Sequence, residues 1–493
     1  MTFINVIVGV VVVHCGLYFF DILFKSCSHY PYIYFLQNVG LNIEPFKIKW
    51  FTTAFNRIFQ KWGTWHPKLL RCWFTVGSWV SLALVPLATY ITIKTCFDFW
   101  QTASVEHDRK HSVTLEPLVP GVNLPASELG YYGLTMIACS IVHEFGHAVA
   151  AVREDVHISG CGIILIAIVP LAYVNLNSDQ LESLSPKRQL RILCAGVWHN
   201  IVLAVFAAIF LWLLPLIFYP AFDSGSGVAV QNIREDSALM GPTGLKVGDR
   251  VVAINQCEVL DSETWYHCTL LAIKQPSPGY CISAELVKEH DESVPVRQLP
   301  NGAVDCCGMN SPDHLCFEYL EKEGGTLELP QHSCLPGRKV VESAALMCSK
   351  ATDCTSDLHC LKPSLENSTR LVRIERLDAK VVLFLGRPAE IYHTVAVSDY
   401  VPLYFIPSTL PEMVTQICKY CILFSSGLAA VNAIPCFFLD GQYIMRALID
   451  FLLGKKIPLK SVRQTLAVFI TIIGTFFLTV NALSIVITKV YYL

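Results

Sequence analysis

Five stretches of this chain, residues 3–20, 72–93, 192–222, 420–439 and 464–488, contain no Asp, Glu, Lys or Arg and consist largely of aliphatic and aromatic residues. Each is long enough, as a helix, to cross a hydrocarbon core of ~30 Å, which takes roughly 17–25 residues. A sixth stretch, 130–152, is almost as apolar but carries His143, Glu144 and His147 in its second half. Charged residues make up 16% of the chain, against about 25% in a typical soluble domain. The first run lacks a basic leader segment and a small-residue cleavage site, so it reads as a retained span rather than a signal peptide. The expected fold is therefore an α-helical polytopic membrane protein of about six spans. A formal net charge of −3 leaves no basic stripe for DNA or RNA, and no direct nucleic-acid binding is expected.

Lys and Arg accumulate in the cytosolic loops of membrane proteins. Here they cluster in three places: Lys47, Lys49, Arg57, Lys61, Lys68 and Arg71; Arg153, Lys187, Arg188 and Arg191; Lys455, Lys456, Lys460 and Arg463. Placing all three in the cytosol requires six spans and leaves 224–410 on the lumenal side. Cysteine usage is a separate line of argument. Ten of the 20 cysteines lie between Cys257 and Cys360, in spacings that do not repeat a C-x-x-C zinc pattern. An even count in a loop-rich segment points to disulfides formed in an oxidising compartment. Asn367-Ser368-Thr369 in the same segment is an acceptor sequon, making Asn367 a glycosylation candidate. Residues 156–178 are also uncharged, but Gly160-Cys161-Gly162 and Pro170 oppose one straight helix. They are read as a re-entrant or hairpin-like element, with an ordinary seventh span as the alternative.

These features divide the chain into 1–71, a first span and cytosolic basic loop; 72–222, a membrane core; 223–410, a lumenal domain; and 411–493, a second part of the membrane core. Within the lumenal domain, Gly227-Val228-Ala229-Val230 and Gly244 to Asn255 look like the front half of a PDZ domain, a strand, a Gly248-Asp249 turn and a second β-branched strand. A disulfide-rich insertion, about 257–360, interrupts it, and 369–400 supplies candidate strands to complete it. Such a domain binds an extended peptide by strand addition or serves as a spacer.

His143-Glu144-Phe145-Gly146-His147 is the zincin pattern H-E-x-x-H. Residues four apart on a helix differ by about 400°, so both imidazoles face one point and can hold one Zn²⁺, with Glu144 placed as general base toward water. Three ionisable groups within a membrane segment are costly and functional by default, though a satisfied polar network without metal is the bland alternative. A catalytic zinc takes a third protein ligand. The candidate is Asp440, which ends the apolar run 420–439; the alternative for it is an interfacial helix cap. His147 lies six residues before Arg153, about 9 Å along a helix, so both groups are expected near the cytosolic face. Asn175, Asn177, His199 and Asn432 are polar enough to line a water path, or to bond one helix to another.

Together the H-E-x-x-H string, the downstream Leu439-Asp440-Gly441 about 290 residues away, and the PDZ-like domain with its cysteine-rich insertion resemble the eukaryotic site-2 proteases. The likeness extends over nearly the whole chain. It implies regulated intramembrane proteolysis: a membrane-anchored transcription factor precursor, such as sterol regulatory element-binding protein, is cut first in the lumen and then within its membrane helix. It further implies one Zn²⁺ per chain with Asp440 as third ligand, a Golgi membrane location, and links to cholesterol metabolism and the unfolded protein response. Asn200 matches an Asn that contacts the substrate carbonyl or oxyanion, with Asn432 a second candidate. The commoner Gly-Pro of that motif is Gly196-Val197 here. A long serine run found in relatives between the second and third spans is absent from 101–128, to which no function is assigned. Two readings from other classes stay open at this point, a zinc transporter and a membrane scaffold with a vestigial metal site.

Overall fold

The computed structural model describes residues 3–102, 128–299, 303–308, 313–321, 329–355, 357–366 and 368–491. Asn367 and nearly all of 101–128 lie outside the described residues. The chain divides into two compact units, 1–212 with 415–493, and 213–414.

The first unit begins with α1 (Phe3–Ser26), α2 (Tyr30–Val39), strands β1 (Leu41–Glu44) and β2 (Lys47–Thr52), and α3 (Asn56–Thr64). There follow α4 (Pro67–Thr102), α5 (Leu129–Arg153), strands β3 (Ile158–Ile166) and β4 (Val169–Leu176), α6 (Ser178–Ser183), α7 (Pro186–Leu193) and α8 (Ala195–Phe218). Among the described residues, six helices are long and apolar enough to cross a membrane: Val8–Ser26, Pro67–Asp98, Leu129–Arg153, Ala195–Phe218, Leu410–Ala433 and Lys460–Ser484. The protein is a multi-pass membrane protein.

The purely helical expectation for the membrane core is corrected by a four-stranded antiparallel sheet of order β1-β2-β3-β4. Residues 156–178 do not form a seventh helix; most of them make the β3–β4 hairpin, with Ile166 paired to Val169 across a two-residue turn. Ala167 takes the left-handed conformation that closes it (φ 54°). The glycines that argued against a helix serve a close approach. A Cβ on Gly162 would lie 1.8 Å from the Trp50 carbonyl oxygen of β2, so only glycine fits there. Residues 41–52, read from their charges as loop, supply β1 and β2, because Leu41, Ile43, Ile48 and Trp50 alternate with polar residues closely enough to pair.

The second unit is built on β5 (Phe222–Asp223), β6 (Val228–Ile233), β7 (Arg250–Ile254), β8 (Cys257–Glu258) and α9 (Ser262–Lys274). It continues with β9 (Gly279–Ser283), α10 (Ala284–His290), β10 (Ser293–Gln298), β11 (Val304–Cys307), β12 (His314–Leu320), β13 (His332–Pro336), α11 (Gly337–Ser343), β14 (Met347–Cys348) and β15 (Leu358–Pro363). It closes with β16 (Arg370–Arg376), β17 (Val382–Gly386), α12 (Ala389–Thr394), β18 (Val395–Ser398) and β19 (Val401–Pro402). One sheet runs β17-β16-β7-β6-β18, with β8 on β7, and a second runs β13-β12-β15-β9-β14. Thus β7, before the cysteine-rich segment, pairs with β16, after it. Val228, Val230, Val251, Ile254, Trp265, Val372 and Phe384 form one core, and Tyr280, Ile282, Phe317, Leu335, Val340 and Leu361 another.

The ten cysteines between Cys257 and Cys360 form five disulfides: Cys257–Cys268, Cys281–Cys354, Cys306–Cys316, Cys307–Cys334 and Cys348–Cys360. The remaining ten cysteines, all in the first unit or α13 (Leu410–Ala433) and the turn after it, are free. The chain ends with α14 (Asp440–Leu453) and α15 (Lys460–Tyr491). Peptide mapping without reduction is expected to recover these five linked pairs. Replacing Cys281 and Cys354 by Ser should destabilise the second unit by about 4 kcal/mol, because that bridge closes 73 residues of chain. Replacing Cys257 and Cys268, only 11 apart, should cost about 3 kcal/mol. A thermal unfolding series of the two variants checks that order.

Candidate metal centre

On α5, His143 and His147 stand one turn apart and turn their rings toward each other, centroids 4.9 Å apart. That part of the helix is buried through small side chains: Ala148, Val149, Ala150 and Ala151 lie against Phe59, Phe74, Ile192 and Ala195. Small residues let helix backbones approach closely where no hydrophobic effect drives them together.

Asp440 arrives from the far end of the sequence, but not as the end of the apolar run. The helix α13 stops at Ala433, and Asp440 opens the new helix α14 after a turn through Ile434-Pro435-Cys436-Phe437-Phe438-Leu439. Proline disfavours helical backbone at the residue before it, which ends α13 there. Thr475 accepts the Phe437 N–H at 3.1 Å, and Gln442 accepts that of Phe438 at 3.3 Å, holding the turn. Gly441 has its backbone against the Ile434 carbonyl, so the first turn of α14 can fold back on the end of α13.

The result is a cluster of three donor atoms. Asp440 Oδ2 lies 2.8 Å from His143 Nε2 and 3.1 Å from His147 Nε2, and the two Nε2 atoms are 3.2 Å apart. The outer nitrogen of each ring explains why the inner ones converge. The His147 Nδ1 sits 2.8 Å from the Ile192 carbonyl. A carbonyl only accepts, so Nδ1 carries the proton and Nε2 presents a bare lone pair. The Nδ1 of His143 lies 3.1 Å from the amide of Asn200, which is wholly buried. As placed, Asn200 Oδ1 has no partner. Turning that amide over lets Oδ1 accept the His143 Nδ1 proton, which bares His143 Nε2 as well.

Two lone pairs and a carboxylate oxygen at such spacing fit a cation. Tetrahedral zinc with bonds of 2.0–2.1 Å separates its ligands by about 3.3 Å. Gly196 forms the wall beside them: a Cβ there would meet His147 Nε2 at 2.4 Å and His143 Nε2 at 2.6 Å. Glu144 is not one of the trio. Its Oε2 accepts the Val174 N–H of β4 at 3.0 Å, and one turn earlier Ser140 Oγ accepts the Ala172 N–H at 2.7 Å. The outward donors of β4 are thereby satisfied by α5, and Glu144 keeps one oxygen free.

A family model described as Peptidase family M50 matches residues 131–478, most of the chain. The chain belongs to peptidase family M50. A curated Arabidopsis thaliana protein, described as a membrane-bound transcription factor site-2 protease homolog, is 22% identical over 446 residues, covering 80% of this chain and 83% of that protein. The M50 peptidase is thus an intramembrane metalloprotease of the site-2 type.

Around its cluster the M50 peptidase uses residues that leave no mark in a sequence. The Ile192 carbonyl and the Val174 N–H are main-chain groups, and only the fold shows them. The end of α5 is tied to α7, which carries Ile192, by the buried Glu154 carboxylate, which takes Arg188 Nε at 2.6 Å and Arg191 Nη2 at 3.1 Å. The hydrogen bond to Glu154 raises the Arg188 pKa above its ordinary value. Of the other polar candidates, Asn432 is half-buried in the last turn of α13 and makes no hydrogen bond to the cluster. Asn177 caps α6 through Gln180 N, His199 Nδ1 donates to the Ala195 carbonyl at 2.8 Å, and Asn175 is exposed. Gly196→Ala should displace both imidazoles and weaken divalent-metal binding at least tenfold. A cobalt or zinc titration of the purified full-length chain checks this; wild-type affinity would show that the wall is not where it is drawn.

Proposed function

We propose that His143, His147 and Asp440 hold one zinc ion and that Glu144 is the general base of a peptide-bond hydrolysis carried out within a membrane helix. The observation that carries this reading is the convergence of three potential ligand atoms, two of them on a helix long enough to span a bilayer, beside an anchored carboxylate. Zinc, when bound, polarises the scissile carbonyl and activates water for attack near neutral pH. The rest is the work of side chains. Val174 N–H fixes Glu144 Oε2, so Oε1 takes the proton of the attacking water and returns it to the leaving amine. Asn200 and the Ile192 carbonyl keep each imidazole proton on the outer nitrogen, which is a positioning role.

A helix in lipid keeps its carbonyls paired and away from water, so the substrate must unwind locally before attack. The relative's description supports a membrane-bound transcription factor precursor as substrate; in this reading it is cut in its membrane helix after a first lumenal cut. The basic clusters support a cytosolic placement of the α5 C-terminus and a lumenal placement of the disulfide-bonded unit, in an endomembrane such as the Golgi. That unit reads as a PDZ-like sheet, β17-β16-β7-β6-β18 with α9, interrupted by a disulfide-bonded insertion.

The test compares zinc content and cleavage in the same preparations. Wild type should hold about one zinc per chain and release a cytosolic fragment from a single-pass membrane substrate. Glu144→Gln should keep the zinc and lose about 10²–10⁴-fold in rate. His143→Ala should lose most of the metal, since two ligands rarely retain it. Asp440→Asn should weaken both metal and activity. A folded, zinc-loaded Glu144→Gln that cleaves at the wild-type rate would overturn the assignment.

A further inference from the structure

Away from the metal centre, a cleft of about 380 Å³ opens between the first turns of α4 and the last turn of α5. Three of the seven residues that line it are cations, Lys68, Arg71 and Arg153, and none is a carboxylate. Lys68 and Arg71 are exposed and have no ion-pair partner among the described residues. Arg153 spans the cleft, its Nε donating to the Pro67 carbonyl at 3.0 Å. The acids that follow it in sequence are already engaged: Glu154 by Arg188 and Arg191, Asp155 by Arg188. The cations therefore face the cleft without local neutralisation.

The floor changes character along α4. Past Arg71 come Cys72, Val76 and Trp79, on the same helical face at spacings of three and four. From Arg71 to Trp79 is eight residues, about 12 Å along the axis. Trp79, together with Trp62 and Trp65 nearby in sequence, is more than half exposed. Exposed tryptophans beside Lys and Arg are the composition of a membrane interface. A solvated basic face would not be followed along its own groove by an exposed apolar strip.

We infer that this cleft binds one anionic phospholipid, its phosphate-bearing headgroup on Lys68, Arg71 and Arg153 and the upper part of its acyl chain along Val76 and Trp79. The polarity of the groove runs in the order of the lipid itself, charge first and hydrocarbon after. Basic pockets between membrane helices hold anionic headgroups by this means. Because Arg153 ends the helix that carries His143 and His147, the bound lipid would also fix the cytosol-proximal end of α5.

The experiment is native mass spectrometry of the full-length chain in detergent, titrated separately with dioleoyl phosphatidylserine, dioleoyl phosphatidylcholine and inorganic phosphate. One phosphatidylserine should be retained, at least tenfold tighter than phosphatidylcholine. Each basic residue near an anionic surface is worth about fivefold in affinity, so Lys68→Ala with Arg71→Ala should weaken phosphatidylserine roughly 25-fold and leave phosphatidylcholine unchanged. Trp79→Ala should weaken both lipids. Lys455→Ala with Lys456→Ala, a basic pair elsewhere, should change neither. Should the double Ala variant not elute as a single species, Lys68→Gln with Arg71→Gln carries the same expectation. Equal binding of the two lipids, equal loss in the Lys455/Lys456 control, or displacement of phosphatidylserine by inorganic phosphate at matched concentration would overturn the proposal.

Discussion

Two imidazole nitrogens and a carboxylate oxygen lie within 3.2 Å of one another, and with both imidazole protons on the outer nitrogens they repel unless a cation lies among them. The rest of the first unit is arranged to hold them in that unfavourable order. The Ile192 carbonyl and the Asn200 amide keep each imidazole from turning its proton inward, and Gly196 removes the side chain that would push them apart. The gain on filling such a site is correspondingly large, because metal binding relieves an electrostatic cost already met in folding.

That cost is carried by packing and by ion pairs set away from the cluster. Ala429, Ala433, Ile434, Ile444 and Ala447 form one core with Val85, Ala88, Leu190 and Val197, so the turn bearing Asp440 rests on three other helices. Glu154 would be expensive alone at this burial, and losing one partner of such a buried pair costs about 3–5 kcal/mol. Held by Arg188 and Arg191, it fixes α7, and with it the carbonyl that orients His147. The same economy appears in β4. A strand edge in a membrane protein presents backbone donors that have no water to meet, and Ser140 and Glu144 supply the acceptors. One side chain thereby satisfies the sheet and stands as the proposed base.

How much of this was legible in the residues depended on whether a side chain or the main chain did the work. The helices showed because lipid-facing helices must be apolar for some 20 residues. The H-E-x-x-H string showed because ligand spacing equals one helical turn, and the even cysteine count from Cys257 to Cys360 showed as pairs. Asp440 shows as the residue that ends the apolar run 420–439, but an uncharged run conceals a break such as the one at Pro435, so the new helix that Asp440 opens does not show. The four-stranded sheet was hidden for a related reason. An unbroken apolar run has no alternation, so Ile163-Ile164-Leu165-Ile166 carries no period-two signal to set it apart from a span. Val174 and Ile192 were invisible, since what they offer is an N–H and a carbonyl that every residue has.

The depth of the cluster follows from the same helix that builds it. From His147 to Arg153 is six residues, about 9 Å of rise, and Arg153 bonds the Pro67 carbonyl at the start of α4. A guanidinium at that point needs a polar boundary, so His147, the nearer of the two proposed histidine ligands, lies within two helical turns of one. A site at the midplane would need a channel lined by polar side chains. Of the groups suited to such a channel, Asn177 is spent on a helix cap and His199 on the Ala195 carbonyl. A site two turns below the boundary needs only a short opening, which suits a hydrolase whose second substrate is water.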